Sequence, residues 1–186
     1  MAQHYRADLE ASLPEIDGFV TIDTLERIRE HCRLDGTPAE QSVPSSLYDH
    51  KFERVLTTPP WTAYLKAAEG CDNPCTFCII PTFRGKFRSR SVESLAKESK
   101  ILAERGVKEI NIVAQDTSAY GRDLGKPDLL ADLLRALDKI SGLRWVRAFY
   151  FYPTSLRDSV LDAMGELEKV VPYIDIPFQH ASRSVL

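Results

Sequence analysis

The residues with the most chemistry in this chain stand in Glu69-Gly70-Cys71-Asp72-Asn73-Pro74-Cys75-Thr76-Phe77-Cys78. Three of the four cysteines fall within eight positions, spaced Cys-x3-Cys-x2-Cys. Gly70 and Pro74 favour a loop that folds over one centre. Neighbouring thiolates repel each other unless a cation or a cluster holds them, so a bound metal centre accounts for all three. A disulfide would leave one thiol over, and a single catalytic cysteine would leave two without a role. The remaining alternative is a chance cluster of small buried residues.

A structural zinc site takes four protein ligands. The loop supplies three, and His50 and His180 are remote in sequence, serving only if the chain folds back. Iron–sulfur clusters ordinarily take four cysteines as well. Three thiols at this spacing suggest a cluster with one iron left open. The alternative of another class is a zinc-stabilised nucleic-acid-binding module, with Cys71, Cys75, Cys78 and a histidine as ligands.

Such a loop needs a scaffold. Thr62-Ala63-Tyr64-Leu65-Lys66-Ala67 predicts a strand directly before it. After it, Ser89 or Ser91 caps a helix running to about Arg105, ended by Gly106. Leu95, Ile101, Leu102 and Val107 are its apolar positions, and Lys97, Glu98, Lys100 and Glu104 are expected outward. Glu109–Ala114 predicts a second strand, followed by the loop Gln115–Asp123. Asp128 to Ile140 carries leucines at i, i+3, i+4 and predicts the clearest helix. A strand over Trp145–Tyr152, a helix over Ser155–Leu167 and a strand over Tyr173–Phe178 follow. Strands alternating with amphipathic helices imply right-handed crossovers and a parallel α/β sheet. In such sheets chemistry gathers on loops at the C-terminal strand ends, which is where the cysteine loop falls.

The segment before this core is different. Tyr5, Leu9 and Leu13 fit a short helix over Met1–Leu13, closed by Pro14. Gly18–Ile22 reads as a strand, and Leu25 to Cys32 as a helix capped by Asp23 or Thr24. Residues 34–60 carry Gly36, Pro38, Pro44, Pro59 and Pro60 and read as a linker, with a short strand over His50–Leu56. The expected division is 1–33, 34–60 and 61–186. The first part is too small for its own core and reads as the tail of an α/β domain.

At 186 residues with 44% hydrophobic content and a formal charge of −3, the chain has the composition of a soluble globular protein. That charge argues against a basic nucleic-acid surface over the whole chain, though not against a local patch. No apolar run reaches a membrane span, and Met1–Asp8 is polar. Cytoplasm, where thiols stay reduced, is the expected location.

Read together, the cysteine loop with Phe77 before its last Cys resembles the radical S-adenosylmethionine superfamily. Gly70-Cys71 through Cys78-Ile79-Ile80-Pro81, with Arg84-Gly85 and Ser89-Arg90, is similar to its methylthiotransferases. Gln115-Asp116-Thr117-Ser118-Ala119-Tyr120-Gly121 and Asp175-Ile176-Pro177-Phe178-Gln179-His180-Ala181-Ser182 resemble the RimO-type branch. That branch adds a methylthio group to the β-carbon of an aspartate in a small-subunit ribosomal protein. The sister branch, acting on adenosine in tRNA, more often has an Asn-containing loop where this chain has Asp116-Thr117-Ser118.

The resemblance implies a partial radical-SAM (β/α) barrel, with Cys71, Cys75 and Cys78 on a [4Fe–4S] cluster whose open iron binds S-adenosylmethionine. It implies a flavodoxin- or ferredoxin-like electron donor, a ribosomal protein as substrate, and direct RNA contact as a further option. Phe77, Gln115, Asp116, Gln179 and His180 become candidates for contact with the cofactor. For each there is a plainer alternative: loop packing for Phe77, loop hydrogen bonding for the polar residues. Arg84, Lys86, Arg88 and Arg90 form a basic run, either solvated or in contact with substrate, cofactor carboxylate or RNA. Cys32 is expected to be an ordinary buried thiol. The cysteines of the family's second cluster and its C-terminal domain have no counterpart here, so a fragment that cleaves the cofactor without inserting sulfur is expected.

Overall fold

A computed structural model of the chain describes residues 5–16, 18–20, 47–52, 54–178 and 180–185. The helix expected over Leu25–Cys32, the thiol Cys32, most of the linker and Gln179 lie outside these residues. The chain divides into two compact units: Met1–Ser46 with Gly70–Lys86, and Leu47–Glu69 with Phe87–Leu186.

The larger unit carries the sheet. Among the described residues, β1 (Thr62–Lys66), β4 (Glu109–Val113) and β5 (Trp145–Ala148) lie parallel in the order β1-β4-β5. Thr62 aligns with Glu109 and Glu109 with Trp145, so the strands run in register from their first residues. Two further strands, β2 (Ala68–Glu69) and β3 (Arg88–Ser89), pair antiparallel as a two-residue ladder that the sequence pattern does not announce.

Side-chain alternation places the core. Ala63 and Leu65 of β1 are fully buried, while Tyr64 between them is 52% exposed. In the central strand β4 both faces are covered: Ile110 and Ile112 on one, Asn111 on the other, with Asn111 Nδ2 donating to Thr62 Oγ1 at 2.9 Å. Continuous β-branched sequence is what a strand covered on both faces requires.

The crossover helices are α3 (Val92–Glu104) and α4 (Leu129–Asp138). Ser91 caps α3 by accepting from the Ser94 amide at 3.2 Å, and Gly106 follows at φ +101° in the left-handed region. In α4, Leu129, Leu130, Leu133, Leu134 and Leu137 are buried. Each fully buried leucine contributes about 1.5–3 kcal/mol of transfer free energy, so this stripe anchors the layer. Helix α5 (Asp158–Glu166) buries Val160, Ala163 and Met164.

Several expectations are corrected. The strand over Trp145–Tyr152 stops at Ala148, because Tyr150 turns into the left-handed region at φ +62°. No strand forms over Tyr173–Phe178. That stretch follows a single parallel bridge, Val146 to Val170, and Phe151 N donates to Asp175 O at 3.0 Å. Nor is there a strand in the described part of His50–Leu56, where Tyr48 stacks on Phe52 at 5.4 Å. The described part of the strand expected over Gly18–Ile22, residues 18–20, is likewise not strand.

The charged face of α3 is corrected too. Glu98 points inward, its carboxylate held by Arg90 Nη2 at 2.7 Å and Arg54 Nη1 at 2.6 Å, while Ile101 is 45% exposed. No helix among the described residues is long and apolar enough to cross a membrane.

In the smaller unit, α1 (Arg6–Ser12) and the short helix α2 (Ile80–Arg84) are formed. Tyr5 meets Phe83 edge-on at 6.3 Å.

Candidate functional site

The thiol loop leaves β2 at Gly70 and rejoins the chain before β3 at Phe87. Its neck is tight. Gly70 sits at φ +82°, and a Cβ there would lie 2.2 Å from Lys86 O and 2.6 Å from Gly85 O. One residue on, Cys71 N donates to Gly85 O at 3.2 Å. Gly85 in turn ends α2, at φ +72° with its amide on Pro81 O at 3.0 Å. Only glycine tolerates both the conformation and the close approach at position 70. Gly70→Ala is therefore expected to open the neck and cut iron uptake by about tenfold, read as iron per chain after anaerobic reconstitution. Uptake equal to wild type would mean the neck is not needed to hold the thiols.

Within the loop, Cys78 N donates to Cys75 O at 3.0 Å, a turn that brings the second and third cysteines onto one bend. Cys71 is buried, and Cys75 and Cys78 are half-buried. Among the described residues, no three His, Cys, Asp or Glu side chains are gathered about one point as metal ligands. The donor chemistry fits an iron–sulfur centre: three thiols on eight residues between glycine-pinned ends, with no fourth Cys and no His in the loop. Phe77 is 75% exposed and has no core role.

The loop after β4 is built differently. Asp116 is buried, accepting from Ser118 Oγ at 2.5 Å and from Ser155 Oγ at 3.4 Å. Ser118 Oγ also accepts from Tyr152 N at 2.9 Å, and Thr117 N donates to Tyr150 O at 2.9 Å. Asp116, Thr117 and Ser118 thus tie the loop after β4 to the loop after β5. Gln115 is half-buried and its Oε1 has no hydrogen-bond partner among the described residues. Of the two candidates in this loop, Gln115 is the one with bonding capacity to spare. His180 is exposed, with Nδ1 accepting from Ser182 N at 2.9 Å.

The basic run does not form one surface. Arg90 is 2% exposed, paired with Glu98, donating to Lys66 O at 2.9 Å and lying 5.2 Å over the Tyr48 ring. A cation so enclosed is structural, and only Lys86 of the run is exposed. Tyr120 is fully buried and donates to Arg90 O at 2.6 Å. Burial pushes its phenol well above the ordinary tyrosine range. Its contribution is complete below the unfolded tyrosine pKa of about 10 and is lost as pH rises through the folded value. Tyr120→Phe orphans the Arg90 carbonyl and is expected to cost about 1–3 kcal/mol in urea unfolding at neutral pH.

Two residues beyond the sequence-derived candidates stand out. Ser89 is buried, and Asp123 accepts from both its amide (2.8 Å) and its hydroxyl (2.6 Å). These partners are 34 positions apart, and no local pattern signals the pair.

Comparison with known proteins places the chain in a family. A family model described as the Radical SAM superfamily matches residues 65–186. The ribosomal protein uS12 methylthiotransferase RimO of Pelotomaculum thermopropionicum is 48% identical over 190 residues, covering 100% of this chain and 43% of the relative. The protein of the same name from Syntrophus aciditrophicus is 45% identical over 194 residues, again covering 100% and 43%. The chain thus spans less than half the length of these relatives. Among solved structures, the radical S-adenosylmethionine methyltransferase TsrM of Kitasatospora setae, with cobalamin and a [4Fe-4S] cluster bound, superposes with a TM-score of 0.51. It is 15% identical and covers 66% of this chain and 23% of its own, a likeness of fold.

Proposed function

Because this chain belongs to the radical SAM superfamily, we propose that it is the cluster-bearing part of a methylthiotransferase acting on the β-carbon of an aspartate in a small-subunit ribosomal protein. One observation carries the reading. The Cys-x3-Cys-x2-Cys loop follows the first strand of a parallel sheet, in a chain whose whole length aligns at up to 48% identity with relatives of that name.

In this reading residues 61–186 belong to the core domain, 34–60 form the linker and 1–33 belong to the preceding domain. Cys71, Cys75 and Cys78, as thiolates, would hold a [4Fe–4S] cluster, and with three thiols rather than four they would leave it able to take S-adenosylmethionine. When bound, such a cluster would supply one-electron reducing chemistry to the cofactor. The chain's own part is to position and enclose. The Gly70 neck holds the loop's ends together, Gln115 Oε1 offers an acceptor to the cofactor, and Phe77 offers a ring face. Asp116, Gln179 and His180 remain in the candidate set, Asp116 through the scaffold it builds. A flavodoxin- or ferredoxin-like donor supplies the electron, and the compartment is the cytoplasm.

The test is anaerobic reconstitution with iron and sulfide, followed by iron counting and assay of 5′-deoxyadenosine release. Brown protein with about four irons per chain and cofactor cleavage supports the reading. Colourless protein with one tightly bound zinc would replace it with the nucleic-acid-binding module. Product formed on tRNA and not on a ribosomal-protein peptide would move the substrate to the sister branch.

A further inference from the structure

The return side of the thiol loop is gripped from the loop after β4. The β2–β3 ladder is two residues long, too short to hold itself in water. Its outer member is fixed instead by Asp123, whose Oδ2 takes the Ser89 amide and whose Oδ1 takes the Ser89 hydroxyl. The same hydroxyl accepts from Gly121 N at 2.9 Å, so Ser89 Oγ donates once and accepts once, both within the clasp. Gly121 has φ +90°, and a Cβ there would fall 2.3 Å from Lys126 O, so the turn that presents this amide has one shape. One residue further, Tyr120 Oη holds Arg90 O, and Arg90 N holds Ala67 O. An exposed aspartate ordinarily contributes little, but a carboxylate using both oxygens on one serine is a defined, charge-assisted joint.

We infer that Asp123 is a positioning residue for the metal centre: it fixes Ser89 and thereby β3, so that the neck of the thiol loop stays closed around a bound cluster. This rests on the proposal that Cys71, Cys75 and Cys78 hold that cluster. Asp123 touches no reacting atom; it acts through the backbone that carries the ligands. Asp123 bonds Ser89 and none of the three thiols, so its effect on the centre runs through the backbone alone.

The experiment compares the wild-type chain with Asp123→Ala, Asp123→Asn, Ser89→Ala and the Asp123→Ala/Ser89→Ala pair, each reconstituted anaerobically with iron and sulfide. Circular dichroism reports folding, loss of iron to a chelator reports retention, and paramagnetic resonance of the reduced cluster reports its geometry. Asp123→Ala is expected to lose iron about tenfold faster and to show an altered, broadened resonance. Asp123→Asn, which keeps one acceptor oxygen and is the milder change should the alanine variant not fold, is expected to fall between. The double variant is expected to lose no more than the worse single one, the mark of a shared joint. Asp123→Asn with wild-type retention and an unchanged resonance, differing only in melting temperature, would overturn the inference and leave the cluster reading standing. A wild-type chain that takes up no cluster would instead remove the reading itself, and the inference with it.

Discussion

Replacing any one of Cys71, Cys75 and Cys78 with alanine is expected to abolish cluster retention, lowering bound iron by more than about a hundredfold against a competing chelator, and to abolish 5′-deoxyadenosine release. A centre with three protein thiolates has none to spare. Cys75 and Cys78 are half-buried and make no core packing, so their loss is not expected to disturb the fold. Cys71 is buried, and its amide rather than its thiol makes the neck bond to Gly85 O, so alanine there keeps the backbone contact. Cys32→Ala is the control and is expected to leave iron content unchanged. A variant at 71, 75 or 78 that stays brown with full iron would strike that residue from the ligand set.

The largest effect on stability is expected at Glu98. Its carboxylate side chain is 6% exposed and sits between Arg90, at 1%, and Arg54, at 27%. Removing it leaves a buried guanidinium with no counter-charge, a change that typically costs about 3–5 kcal/mol. For a chain of this size that is a fall in melting temperature of roughly 10 °C. Glu98→Ala is therefore expected to be far worse than Glu104→Ala on the same helix, where the side chain is exposed. Replacing Glu98 and Arg90 together with leucine and methionine is expected to recover much of the loss, because neither charge is then stranded. Equal urea midpoints for Glu98→Ala and wild type would show that the network holds nothing in place.

Glu98 also shows where the sequence stops being informative. Strands β1 and β4 and helices α3 and α4 were legible because their signals are local: alternation, a leucine stripe, Ser91 before the helix and Gly106 after it. Glu98 lies on the polar side of that periodicity, and only Arg54, 44 positions away, and Arg90 make its burial tolerable. The shortening of β5 turns on one residue, Tyr150, in a conformation that tyrosine rarely adopts. The missing strand at Tyr173–Phe178 has apolar, β-forming residues, but the chain makes only an isolated bridge before it, at Val170, and no ladder where one was expected. At the site, the cysteine spacing was readable because the three thiols sit on one loop. The grip of Asp123 on Ser89 was not, since it joins two loops through a contact that exists only once the sheet has formed.

Ser118 carries a consequence for how this region tolerates change. Its hydroxyl gives a hydrogen to Asp116 and receives one from the Tyr152 amide, so the position admits only a group that does both at short reach. Alanine does neither, and a thiol does both weakly and at longer distance. Exchanging residues 116–118 would therefore loosen two loops at once, the one after β4 and the one after β5. Gln115, beside this knot and with its Oε1 unbonded among the described residues, tolerates variation better than the Asp116–Ser118 pair.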